Sequence, residues 1–120
     1  MARIPLWGFM TKGSRPKAAR SPEELFLDRG KPGIAHRLAL TRQALGYQKG
    51  DFAAAAGIAN NTYTQYESAT NMPDMERANM LCDRYRLTLD WIFRGDTASL
   101  PRETRIAIVA LQDLRVKSSE

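Results

Sequence analysis

Apolar residues recur every three or four positions along most of this chain, and the runs are broken by glycine or proline, so the pattern predicts a succession of short helices. The sharpest case is QKGDFAAAAGIANNTYTQYESA, residues 48–69. Phe52, Ala53 and Ala56 fall at helical spacing, and the run Ala53–Ala56 has high helix propensity and no bulk, so another helix backbone can approach closely. Gly57 stands where a left-handed residue ends a helix, and Ile58 after it can plug the corner. From about Asn60 to Ser68 helical spacing resumes. Tyr63 and Tyr66 lie on one side, and Asn61, Thr64, Gln65 and Ser68 form an opposite arc of amides and hydroxyls.

The same spacing predicts helices on either side. One runs from about Ile34 to Leu45 with a buried stripe of Ile34, Leu38, Thr41 and Leu45. Another, about Asp74 to Arg86, puts Ala78, Leu81, Cys82 and Tyr85 on one face. Thr88 can cap a short helix whose Leu89, Trp91, Ile92 and Phe93 offer more apolar surface than internal packing needs, either to finish a core or to meet a second subunit. Near the N-terminus, Ser21-Pro22-Glu23-Glu24 is a helix start, Leu25, Phe26 and Leu27 give it something to bury, and Gly30 with Pro32-Gly33 ends it; loose packing on the main body is expected. Beyond Pro101, Ile106, Ala107, Ala110, Leu111 and Leu114 share an arc away from Arg105, Asp113, Arg115 and Lys117. That amphipathic helix either folds back on its own chain or pairs with a second copy.

In these residues the sequence resembles the lambda-repressor-like helix-turn-helix family, the XRE or Cro/CI-type regulators. Ala53, Gly57, Ile58 and Glu67 match the family's small first-helix residue, turn glycine, buried turn aliphatic and late glutamate. Leu38, Arg42 and Gly46 resemble its first helix and following loop, Pro73-Asp74 the start of its fourth helix, and LDWIFRGD at 89–96 its fifth. The resemblance covers about residues 33–96 and implies an all-α fold, a compact five-helix bundle, to which the flanking patterns add an extra short N-terminal helix and a C-terminal amphipathic helix. With the flanking charge and apolar patterns it divides the chain into a basic flexible arm (1–20), a short helix and linker (21–32), a DNA-binding domain (33–96) and a linker with the C-terminal helix (97–120). It also implies a partly buried salt bridge between Arg42 and Glu67, a pair that sets geometry more than net stability.

The chain departs from the family at four positions. Lys49 replaces a phosphate-touching glutamine, and a lysine still suits phosphate. Ala59 replaces the Ser or Thr that caps the third helix, which leaves Asn60 to cap in its place. Tyr63 stands where an aliphatic is usual, and Ala69 where a glycine ends the recognition helix.

Composition narrows the function classes. A single cysteine, Cys82, excludes an internal disulfide framework, and it reads as a small core residue suited to a reducing compartment. No apolar run approaches the roughly 20 residues that span a bilayer, and MARIPLWGFM makes a poor signal peptide, so a cytoplasmic protein without membrane partners is expected. His36 is the lone histidine and has no carboxylate or cysteine cluster beside it; with no phosphate loop, nucleophile elbow or metal-ligand spacing, the expectation is no enzyme, no cofactor, no metal and no small-molecule substrate.

The net charge of +5 is unevenly placed. Arg3, Lys12, Arg15, Lys17 and Arg20 are the only charges in residues 1–20, so the other hundred residues sum to zero. The arm can follow a phosphate backbone or a minor groove, be a solvated tail, or precede a true start at Met10.

If the third helix of the family pattern enters a major groove, Asn61 and Gln65 are placed to read base edges, because a primary amide bonds bidentately to adenine N6 and N7. Asn60 and Thr64 support them, Ser68 touches backbone, and Gln48 and Lys49 hold phosphate beside free backbone N–H groups. The recognition arc lacks Lys and Arg, and residues 33–95 carry seven basic against six acidic groups, so a homodimer on a near-palindromic double-stranded operator is expected. This reading is a DNA-binding transcriptional repressor of phage or bacterial type. The competing reading keeps the scaffold as a protein-interaction module, as in an antitoxin or regulatory subunit.

Overall fold

The computed structural model describes residues 20–119, and every regular element in that range is a helix: α1 Pro22–Leu27, α2 Lys31–Ala44, α3 Lys49–Ala56, α4 Asn60–Glu67, α5 Met75–Tyr85, α6 Leu89–Arg94 and α7 Arg102–Ser118. The expectations for the basic arm therefore lie, except for Arg20, outside the described residues. Over the described residues the protein is an all-α bundle, as the pattern predicts.

Helix α2 is the axis of the bundle, contacting α1, α4, α6 and α7, while α3 packs on α4 and α5. It starts three residues before the predicted Ile34 because Pro32, taken as a terminator of α1, sits in its first turn, where a fixed φ and a missing N–H cost nothing. Gly30 is its N-cap, and Asp28 is the C-cap of α1. Gly33 is required by contact: a Cβ there would lie 2.0 Å from the Asp28 carbonyl oxygen. Ile34, Leu38 and Thr41 are buried as the stripe predicts, but Leu45 is a half-buried C-cap, and Leu40 and Arg37 are fully enclosed as well.

The core is two connected aromatic groups. Trp91, fully buried, tilts against Phe26 of α1 at 5.3 Å between ring centroids, and its Nε1–H donates to Thr41 Oγ1 at 2.9 Å. Thr41 in turn donates to the Arg37 carbonyl, so one buried hydroxyl satisfies the indole and spends its own proton inside α2. Phe52 and Tyr85 stack at 4.1 Å, with Tyr47 and Tyr63 edge-on or tilted against Phe52. The Tyr85 hydroxyl donates to the Phe52 carbonyl at 2.7 Å. Of the two roles open to the apolar residues of α6, Trp91 and Ile92 take the core one.

Arg37 escaped the sequence reading altogether. Its side chain is fully buried, and its guanidinium donates to the carbonyls of Leu25, Phe26 and Asp28 at the end of α1 and, through two nitrogens, to Ile92 in α6. These carbonyls lie at helix C-termini, where partial negative charge gathers and intrahelical partners run out, although Leu25 also accepts the Asp28 N–H. Burial pulls the Arg37 pKa down to about 10. The expected loose packing of α1 is thus corrected: no residue of α1 is fully buried, but its C-terminal carbonyls are pinned to α2, and Asp28 accepts from Arg20 and from the Gly33 N–H.

The buried face of α7 also differs from prediction. Ile108 and Gln112 face the domain, with Ala107 and Leu111 half-buried at the margin, whereas Ile106, Ala110 and Leu114 are exposed. The reason is a polar junction. Gln112 donates to the Pro22 carbonyl at 2.8 Å and its Oε1 lies 2.8 Å from His36 Nε2, so a buried amide ties α7 to α1 and α2. Arg115 adds a hydrogen bond to Gln43. No helix among the described residues is long and apolar enough to cross a membrane.

Candidate nucleic-acid interface

Helix α3 ends at Gly57, whose φ of +82° is the left-handed state that lets its N–H reach the Ala54 carbonyl while Ile58 N–H closes on Ala53 at 2.9 Å. Ile58 is buried, and the next helix starts two residues later. This compact turn sets α4 across α3. Asn60 Oδ1 lies 3.9 Å from where a Cβ on Gly50 would stand, so the first turns of α3 and α4 are side by side.

Both first turns keep free backbone N–H groups, since neither N-cap, Gln48 or Ala59, supplies a side-chain bond. Here the structure corrects the expectation for Asn60. Ala59 is the extended N-cap residue and Asn60 is already the first helical residue, so its amide does not cap. An alanine at this position leaves the N–H groups of α4 open to an external acceptor.

The inward side of α4 is fixed by Tyr63 and Tyr66, both buried. Tyr63 donates its hydroxyl to Glu67 Oε2 at 2.5 Å, and Arg42 holds the same carboxylate through Nε at 2.7 Å and a second nitrogen at 3.2 Å. Arg42 also donates to the Tyr47 carbonyl. The bidentate pair buries both side chains, with Glu67 4% exposed, and the Glu67 bond holds the guanidinium pKa above its ordinary value. Tyr63 in place of an aliphatic therefore completes the pair: burial and the Glu67 charge push its phenol pKa up, so it stays a donor.

The outward side carries Asn60, Asn61, Gln65 and Ser68, all exposed, with Thr64 half-buried beside them. Gln48 and Lys49 are exposed at the start of α3. Asn61 makes no side-chain hydrogen bond among the described residues. Gln65 is held: its Oε1 accepts from Asn71 Nδ2 at 2.5 Å, and its carbonyl accepts the Thr70 and Asn71 N–H groups. Ser68 spends its hydroxyl on Gln65 O and Thr70 Oγ1, closing the turn after α4. Asn71 is a residue the sequence reading missed; its only signal was an amide six residues after Gln65.

Lys31, Arg77, Asn71 and Gln65 line a concavity beside α4. Arg77 reaches Asp74 at 3.0 Å on the surface. Two cations at the rim were invisible in sequence because they come from α2 and α5. Residues 38–92 match a family model described as helix-turn-helix. They are a lambda-repressor-like helix-turn-helix domain.

The matched stretch, a little under half of the chain, supports a DNA-binding helix-turn-helix regulator at family level, and that family is a regulatory rather than an enzymatic one. The matched stretch of the helix-turn-helix domain begins inside α2 and ends in α6, so α1 and α7 lie outside it. No curated protein and no solved structure matches the chain. Elsewhere in the chain, His36 is half-buried with its pKa lowered by burial, and burial raises the Cys82 thiol to about 11, leaving it protonated.

Proposed function

We propose that this protein is a sequence-specific transcriptional repressor of the phage or bacterial kind, acting as a homodimer on a near-palindromic double-stranded operator, with α4 as the helix that reads the major groove. One observation carries the reading: α4 turns its two tyrosines inward and leaves an exposed amide face beside the uncapped first turn of α3. Asn61 and Gln65 read base edges. The bond from Asn71 leaves Gln65 both Nε2 protons and one Oε1 lone pair, which suffices for adenine N7 and N6. Asn60 and Thr64 support them. Gln48, Lys49 and the free N–H groups of α3 hold phosphate, Ser68 lies near the backbone at the other end of α4, and Lys31 and Arg77 add positive charge at the rim.

Selection of the purified protein on a random duplex library at near-physiological salt tests this. A two-fold-symmetric, adenine-containing motif is expected, lost in Asn61→Ala/Gln65→Ala while the fold is kept. No enrichment, or enrichment untouched by the double variant, sinks the reading. It would favour the protein-interaction module, which has its own support in the exposed Ile106 and Leu114 of α7. Salt separates the two, since DNA affinity falls with a log–log slope of about 0.9 per phosphate neutralised, while apolar docking barely responds.

A further inference from the structure

Helix α7 is anchored to the domain by one side only, through Ile108 and Gln112. Its opposite side carries large aliphatic residues in water: Ile106 is 55% exposed and Leu114 61%. The arrangement of that side is symmetric. Ile106 and Leu114 stand four residues before and after Ala110, and Glu103 and Lys117 stand seven before and after it. All five are exposed, and at 3.6 residues per turn they fall within an arc of about 80° centred on Ala110.

We propose that this face is a self-association surface, on which two copies of the chain pair through α7 in antiparallel orientation with the two-fold axis at Ala110. Antiparallel pairing sets Ile106 against Leu114 of the partner subunit and Glu103 against Lys117 of the partner subunit, and each contact occurs twice. Ala110, which has no bulk, faces its own copy where the helices come closest. Parallel pairing sets Glu103 and Lys117 each against its own copy, like charge against like. Opposite charges at the two ends of an uncharged centre fit a reversed copy of the same helix. On this face a uniformly basic occupant, such as residues 1–19 of this chain, is complemented only at the Glu103 end and opposed at the Lys117 end, whereas a reversed copy is complemented at both.

A helix of 17 residues is about 25 Å long and offers less than the ~800 Å² per partner of a standard interface, so the association is weak and concentration-dependent. This inference deepens the dimeric reading above, and the two fail separately because self-association is measured without DNA.

The experiment is sedimentation velocity on the full chain, from micromolar to millimolar concentration, with circular dichroism to confirm that each variant is folded. A reversible monomer–dimer equilibrium is expected, abolished by Ile106→Glu at an exposed position. Glu103→Lys and Lys117→Glu should each weaken it by about three- to tenfold, and the double reversal should restore it. In a Cys82→Ala background, Ala110→Cys should give a disulfide-linked dimer on oxidation. Glu103→Cys should not, because antiparallel pairing holds those positions about 21 Å apart, beyond disulfide reach. A protein that stays monomeric throughout overturns the proposal, including one whose thiol introduced at position 110 is shielded from a maleimide by its own residues 1–19. So does a dimer indifferent to Ile106→Glu, and so does one in which the single reversals change nothing, as parallel pairing requires.

Discussion

Ala69 shows what one residue contributes to the end of α4. It sits at φ +63°, a left-handed conformation that brings its Cβ toward the neighbouring carbonyl and that glycine adopts freely. The turn it makes is needed, because it lets the Thr70 and Asn71 N–H groups return to the Gln65 carbonyl and sets Asn71 against the Gln65 amide. Relief of the left-handed strain, about 1–2 kcal/mol, is partly offset by the greater freedom of glycine in the unfolded chain. Ala69→Gly should therefore stabilise the protein by about 0.5–1 kcal/mol, read as a higher urea midpoint with unchanged slope. A lower midpoint would show that the alanine methyl makes contacts worth more than the strain. At this scale much of the site could be read from the sequence. Gly57, Ile58 and the two tyrosines point the right way because turn chemistry and helical period are local properties. The Asn60 cap was misread because the boundary of α4 shifted by one residue, and one residue decides whether an amide caps a helix or belongs to it.

Among elements, what could not be read is what joins one helix to another through backbone. Arg37 looks like an arginine on an ordinary surface turn until the C-termini of α1 and α6 are placed around it. Its partners are carbonyls, which have no letter in a sequence. The same holds for Gln112, whose burial turns α7 away from its predicted face by bonding His36 and the Pro22 carbonyl. Arg37 makes a direct prediction. Arg37→Met keeps length and removes every donor, stranding the carbonyls of two helix ends in a buried site. A loss of about 3 kcal/mol is expected in chemical denaturation. Hydrogen exchange should also quicken at the amides of α1. Arg37→Lys keeps the charge but loses the fork that spans both helices, and should fall between the two. A Met variant within about 0.5 kcal/mol of the parent would mean that the carbonyls find water instead.

For the molecule as a whole, the question is how a nearly neutral folded body holds a polyanion. Residues 33–95 carry seven basic and six acidic groups, and two of the basic ones are occupied internally, Arg37 by helix carbonyls and Arg42 by Glu67. What remains of them near α4 is Lys49 and a surface-paired Arg77, joined by Lys31 from just before that stretch. On the proposed reading, attraction to phosphate draws on charges outside the helix-turn-helix domain, and Arg3, Lys12, Arg15 and Lys17 are four such charges with no acid between. Deleting residues 1–19 should weaken operator binding and flatten its dependence on salt, by about 0.9 in the log–log slope for every phosphate those residues neutralise. On the proposed reading the base preference should stay the same, because that reading puts specificity in Asn61 and Gln65, on a helix the deletion does not touch. The check is a salt titration of operator affinity for both proteins at matched concentration. Equal slopes would place the missing attraction in the folded body, with Lys31, Lys49 and Arg77 as its source. A changed motif would mean that the basic segment itself reads sequence.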